Sequence, residues 1–215
     1  MHEPSGTSPD PLFDAAAALR HLVDLFCDRE VAPELLARIT TAAEDLSAAV
    51  AEEPRWDRQA MLEESIRDPY RRDGRRGGFY YRGVAGPANP AALPLELRVL
   101  DGVLLTEVTL GPMHSGAPGR GHGGVLAGIF DEFAGSAPRF LTDSMAATGR
   151  LTIHYRAPIP LGVPLQLRAW VHDHEGRKIH VRGDARRGDD VIAEVEGLFI
   201  QIDYAVIDTS GAARH

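Results

Sequence analysis

Cysteine is nearly absent: Cys27 stands alone among 215 residues. A single thiol allows neither an internal disulfide nor a cysteine-rich zinc site, and the pattern fits a reducing compartment. Long apolar runs are missing too, since none approaches the ~18–20 residues that a membrane span requires. The opening Met-His-Glu-Pro-Ser-Gly has neither the basic start nor the apolar stretch of a signal peptide, so a cytoplasmic location is expected. Positive charge is in deficit. The 23 Lys and Arg against 31 Asp and Glu leave a net charge of -8, which argues against a nucleic-acid partner. A polyanionic ligand would need a local basic patch. There is no Gly-x-Ser-x-Gly elbow of the kind that carries the serine nucleophile in α/β-hydrolases. Hydrophobic residues at 44% and charged residues at 25% nevertheless mark a packed globular chain. Its length suits one ordinary domain with an extension, or two small domains.

Helical spacing dominates the first third. Asp10 followed by Pro11 is a capping side chain ahead of a residue suited to the first helical position, and Leu19, Leu22, Val23 and Phe26 recur on one face. This predicts a helix near 11–27. Pro33 opens a second, with Leu35, Leu36, Ile39, Leu46 and Val50 on one stripe, and a third, shorter helix is expected from Trp56 to Ile66. Residues 67–78, with five arginines and three glycines, read as a linker.

Beyond Gly78 the period falls to two. Strands are expected at Phe79–Val84, Leu95–Leu100 and Val103–Leu110, the last two joined by the turn pair Asp101-Gly102. A glycine- and proline-rich loop over 111–121 leads into a helix at Gly124–Ala137. Four strand-like segments follow at Met145–Arg156, Pro164–Asp173, Lys178–Arg187 and Val191–Asp203, the later ones separated by hairpin pairs Glu175-Gly176 and Gly188-Asp189. In the last segment the apolar face shifts at Gly197, which a bulge or burial on both sides would explain. The order predicts an α+β architecture: a curved antiparallel sheet with one long helix laid on it. Residues 1–77 form a helical N-terminal extension and linker, 78–205 the sheet domain, and 206–215 a tail.

The run His122-Gly-Gly-Val-Leu-Ala-Gly-Ile-Phe-Asp131 carries the chemistry. A glycine pair at a helix start presents backbone N–H groups, and a carboxylate follows about two turns later; an oxyanion donor and a general base thus lie in one short element. On a helical wheel Val125, Leu126, Ile129, Phe130 and Phe133 form the arc that faces the sheet. Asp131 lies off that arc, with Gly124, Gly128 and Gly135 as its neighbours along the surface. Interior helix glycines cost ~0.5–1 kcal/mol each relative to alanine, so close approach of a substrate or of a second backbone is one reading. A plain solvent-facing Asp is the other.

Together with Gly-Ala-Pro-Gly-Arg-Gly before it and Arg150-Leu-Thr-Ile-His-Tyr-Arg-Ala-Pro-Ile-Pro-Leu161 after it, this run resembles the hot-dog-fold acyl-CoA thioesterases of the PaaI/THEM4-like type. The resemblance covers about Gly78 to Asp203. It implies the hot-dog fold, a homodimer or a dimer of dimers, and hydrolysis of an acyl-CoA to acid and CoA without metal or other cofactor. In that family an acidic residue nine positions after the His is catalytic, which falls on Asp131 rather than Glu132. The family's oxyanion donor maps to the N–H of Gly123, with His122 and Gly124 beside it as substrate-binding residues. The Thr that assists the catalytic Asp across the dimer interface maps to Thr148, while Arg150 stands where relatives commonly have Asn. Basic residues near the hairpin after the Pro-Ile-Pro strand often meet CoA phosphates in relatives; Arg177 and Lys178 hold those places, an ordinary charged hairpin being the alternative. A non-catalytic acyl-CoA-binding or regulatory hot-dog protein is the second functional reading, against which the retained Asp131 and glycine pair argue. A hot-dog hydratase would want its His and Asp differently arranged along the helix.

Other motifs give weaker leads. Gly119, Gly121 and Gly124 formally fit a dinucleotide-binding fingerprint, but no strand leads directly into them and antiparallel hairpins follow. His172, His174 and His180 lack a recognisable zinc spacing. His122 either contacts the thioester or pins its loop through the ring nitrogens, and the second role is favoured. The apolar stripes of the N-terminal helices should pack on the domain or its dimer partner. Residues 11–66 are accordingly expected to cap the acyl entrance.

Overall fold

The computed structural model describes residues 10–57, 59–61, 63 and 81–202. Helix α1 spans Pro11–Asp28, where Asp10 Oδ1 accepts from Leu12 N at 3.0 Å and caps the helix as its sequence position predicts. Helix α2 spans Pro33–Ala51. The sheet comprises β1 (Arg98–Leu100), β2 (Val103–Thr109), β3 (Ala146–Tyr155), β4 (Pro164–Glu175), β5 (Lys178–Arg187) and β6 (Asp190–Gln201). A 3-10 turn at Pro112–His114 and helix α3, Gly123–Thr142, connect β2 to β3.

All strand pairs are antiparallel and the order is β1-β2-β4-β5-β6-β3. Helix α3 lies along the inner face. Leu126, Ile129, Phe130 and Phe133 are wholly buried there with Leu165, Leu167, Ile179 and Phe199 from the strands. Burying each such side chain stabilises the fold by about 1.5–3 kcal/mol. This is the α+β hot-dog architecture, a curved antiparallel sheet around one long helix, and among the described residues no parallel βαβ unit follows the Gly119–Gly124 run, which argues against the dinucleotide reading.

Three segments depart from the sequence expectation. Helix α3 passes Ala137 and continues through the buried Pro138 to Thr142. Proline removes only one N–H there, and the Pro138 carbonyl still accepts from Thr142 Oγ1 at 2.7 Å; Asp143, at φ 53, ends the helix. The expected strand at Phe79–Val84 begins outside the described residues, and residues 81–84 form turns. Of Leu95–Leu100 only Arg98–Leu100 is strand. The segment 81–97 instead crosses α3, where Val84 lies against Gly128 and Arg82 is paired with Glu132, so its apolar residues cover the helix rather than lengthen the sheet. In β6 the register runs unbroken through Gly197, with Val195, Gly197 and Phe199 on the buried face and Leu198 and Ile200 half-buried on the other; the irregularity lies near Ile192.

The N-terminal helices behave unexpectedly. The face that α1 turns to the domain carries Ala16, Arg20 and Asp24, four residues apart. Arg20 Nη1 donates to the carbonyls of Asn89 (2.8 Å) and Ala92 (3.1 Å). Leu19, Leu22, Val23 and Phe26 stay exposed, and α2 has no buried residue. The apolar stripes therefore do not pack on their own domain. Of the third predicted helix, residues 58, 62 and 64–66 lie outside the described residues, as does the linker at 67–78, while residues 59–61 and 63 are helical. What is described there shows Asp57 Oδ1 accepting from Gln59 N and Ala60 N, and Trp56 set edge-on to Tyr81 with ring centroids 5.3 Å apart.

Candidate active site

The site forms where α3 crosses the edge strand β3. His122 caps the helix: its Nδ1 accepts from Gly124 N at 3.0 Å, and its carbonyl accepts from Val125 N and Leu126 N. That leaves the Gly123 N–H as the first-turn donor with no acceptor among the described residues, at the end of the helix where the dipole is positive. Gly124 is thus engaged within the loop, and His122 does the pinning. Tyr155 closes the flank of Gly123, its hydroxyl donating to the Gly123 carbonyl at 2.6 Å. Burial raises the pKa of this phenol, so it stays a donor well into the alkaline range. Tyr155 lies inside the Arg150–Leu161 run but carried no signal of its own.

The loop before His122 is shaped by close approaches. A Cβ on Gly116 would fall 2.9 Å from His122 Cα, and one on Gly121 would fall 2.8 Å from Ile159 Cγ2. Beneath it, His114 Nδ1 accepts from Gly111 N at 3.1 Å, and the His114 carbonyl accepts from His122 N at 2.8 Å. His114 is buried, which lowers its pKa; the nearby Asp24 carboxylate opposes that shift.

Two turns on, Asp131 is exposed and accepts from Thr148 Oγ1 at 2.8 Å. Both residues belong to one chain. Thr148, expected to assist Asp131 from the partner subunit, thus already reaches Asp131 within its own chain. The physical cause is local: the pairing of β3 with β6 skips Gly149 between Thr148 and Arg150, and such a bulge re-aims the adjacent side chain. Glu132, the neighbouring carboxylate, is engaged by Arg82 and only partly buried.

The glycine stripe around Asp131 is not an open lane. Cβ atoms at Gly124, Gly128 and Gly135 would meet the His122 ring, Val84 and the Phe199 ring at 2.9, 3.4 and 3.4 Å. The glycines admit the chain's own side chains. Arg177 and Lys178 lie on the β4–β5 hairpin, and the register Lys178–Ile200–Ala147 sets that hairpin two strands from Thr148, about 10 Å away. Arg177 Nε and Nη2 donate to the Gln201 carbonyl at 3.2 and 3.1 Å. His172 falls at a register shift of β4 and so leaves the alternation it would share with His174. Among the described residues, no three His, Cys, Asp or Glu side chains converge to hold a metal ion. No described helix is long and apolar enough to cross a membrane.

Fold and site together define a hot-dog protein with a polar centre on its long helix. Residues 119–194 match the thioesterase superfamily model. It is similar to the acyl-coenzyme A thioesterase THEM4 of Xenopus laevis, 35% identical over 94 residues that make up 43% of this chain and 42% of that protein. THEM4 of Bos taurus is 33% identical over 95 residues, 43% of this chain and 38% of that one. The chain thus spans less than half the length of these curated relatives. A crystal structure of a thioesterase superfamily protein superposes with a TM-score of 0.73 at 29% identity, covering 94% of both chains.

Proposed function

We propose that this chain is an acyl-CoA thioesterase whose active site is shared between two copies. The observation that carries the reading is the exposed Asp131 carboxylate held by Thr148 on one oxygen at 2.8 Å, which leaves the other oxygen for water. Asp131 takes a proton from water as its oxygen attacks the thioester carbonyl. A tetrahedral oxyanion forms, the C–S bond breaks, and CoA leaves as thiolate, which takes up the proton. Because thiolate is a good leaving group, no strong general acid is required.

The oxyanion donor is Gly123 N–H, but not from the same copy. Eight residues separate Gly123 from Asp131, and at 1.5 Å per residue that is about 12 Å along the helix axis. A donor bonded to the thioester oxygen and a base bonded to the attacking water, each contact being about 3 Å, stand at most about 8 Å apart across the tetrahedral centre. A two-fold dimer that sets Asp131 of one copy opposite Gly123 of the partner subunit removes the discrepancy. Two further features support such a dimer. Among the described residues strand β3 ends the sheet with an unpaired, mostly exposed edge, and the apolar faces of α1 and α2 are exposed. Arg177 and Lys178 are assigned to the CoA phosphates.

Asp131→Asn tests the assignment. The amide keeps the shape but accepts no proton, so turnover of an acyl-CoA panel should fall ~10²–10⁴-fold with CoA affinity retained. Hydrolysis at the parent rate by the purified variant would remove Asp131 from the mechanism.

A further inference from the structure

The N-terminal extension reaches the start of α3 through one carboxylate. Asp24 Oδ1 accepts from Met113 N at 3.1 Å, in the short turn that links β2 to the loop ahead of α3. The same carboxylate sits on Gly111: a Cβ there would fall onto Oδ1 and 3.0 Å from Cγ. From that turn the path is continuous. Gly111 N donates to His114 Nδ1, the His114 carbonyl receives His122 N, and His122 Nδ1 receives Gly124 N. One turn earlier on α1, Arg20 holds the carbonyls of Asn89 and Ala92, so the helix is fixed close to the contact.

We infer that Asp24 is a positioning residue: from α1 it holds the Gly111–His114 turn that sets His122, and thereby the direction of the Gly123 N–H. This rests on the thioesterase reading of Gly123 and Asp131. Two features set Asp24 apart from a residue that only attaches the extension. Its bond ends on the turn under His122, whereas the attaching bonds of Arg20 end on the segment 81–97. And the turn has no side chain at Gly111, where any larger residue would displace the carboxylate from Met113. A side-chain carbonyl oxygen that accepts from a backbone N–H holds a turn whether or not it is charged. An oxyanion donor loses its effect when misdirected by small displacements. The extension is therefore part of the machinery that sets turnover, beyond any capping of the acyl entrance.

The test uses the full chain with four variants: Asp24→Ala, Asp24→Asn, Gly111→Ala, and Asp24→Ala with Gly111→Ala. Asparagine keeps the acceptor for Met113 N and should behave as the parent does. Asp24→Ala should lower kcat about three- to tenfold with KM within about twofold, the mark of an interaction felt in the transition state. Gly111→Ala should reproduce that loss, yet add little once Asp24 is already alanine, because the two act through one contact. Independently of any substrate, amide hydrogen exchange at Gly124 and Val125 should quicken in Asp24→Ala and stay at the parent rate in Asp24→Asn. Unchanged exchange in folded Asp24→Ala overturns the inference, as does quickened exchange with kcat intact. A parent protein that turns over no acyl-CoA overturns the thioesterase reading instead, while the exchange comparison still decides the link from α1 to α3.

Discussion

Replacing Gly123 with proline removes the N–H of the proposed mechanism and puts the ring carbon Cδ in its place. The N–H at the first helical position has no partner within the helix, and proline is favoured at that place. His122, at φ -75 and ψ 126, already has the extended backbone that a residue before proline requires. Of the three added carbons, the Cβ would stand 3.3 Å from Tyr155 Cζ and Oη, so the tyrosine ring must yield by a few tenths of an ångström. Gly123→Ala makes the same demand and keeps the N–H, which makes it the control. Loss of one oxyanion donor costs ~10²–10³-fold in kcat, and Gly123→Pro should show that loss while Gly123→Ala stays active. Mixing then tests the shared site. Dissociated and re-associated Gly123→Pro and Asp131→Asn chains form mixed dimers in which one site keeps both Asp131 and a partner Gly123. With random pairing about half the dimers are mixed and each has one working site, so activity should return to about a quarter of the parent rate. Thr148→Ala mixed with Asp131→Asn should show no gain over Thr148→Ala alone, since those two residues meet within one chain. Verified mixed dimers of Gly123→Pro and Asp131→Asn that stay inactive would refute the 12 Å argument.

Two further outcomes are expected. Changing Arg177 and Lys178 to uncharged residues should weaken CoA binding and flatten its salt dependence, because exposed phosphate contacts are screened by ions; calorimetric titration at low and high salt checks this, and identical affinities at both would leave a plain charged hairpin. Burial depresses the pKa of His114, so between that lowered value and the ordinary ~6.5 the unfolded chain holds a proton that the folded chain refuses. The His114 contribution to stability is therefore complete above pH ~6.5 and lost as pH falls through the folded-state value. Urea midpoints measured across that window should drop in the parent and drop less in His114→Gln; equal slopes would show that His114 does not titrate against folding.

Local order was written in local residues. Asp10-Pro11 set the start of α1, Asp101-Gly102 the first hairpin, and the arc Leu126, Ile129, Phe130, Phe133 the buried face of α3. These depend on neighbours within a turn or a strand pair, where capping, turn geometry and periodicity act. The choice of Asp131 over Glu132 also rested on a motif read along the chain. Long-range placement was not legible. Val84 against Gly128, Phe199 against Gly135, Asp24 on Met113 and Tyr155 on Gly123 join residues far apart in sequence, and no pattern in either partner marks the other. The bulge at Gly149 that turns Thr148 onto Asp131 of its own chain is likewise a product of β3 pairing with β6. By itself the sequence determined the long helix and most of the strands, and it marked the residues proposed to carry the chemistry, because periodicity and turn chemistry are local. Only the tertiary structure decided which of those residues meet within one copy. A fixed helical rise keeps Gly123 and Asp131 two turns apart, while chain closure brings Thr148 and Asp131 into contact.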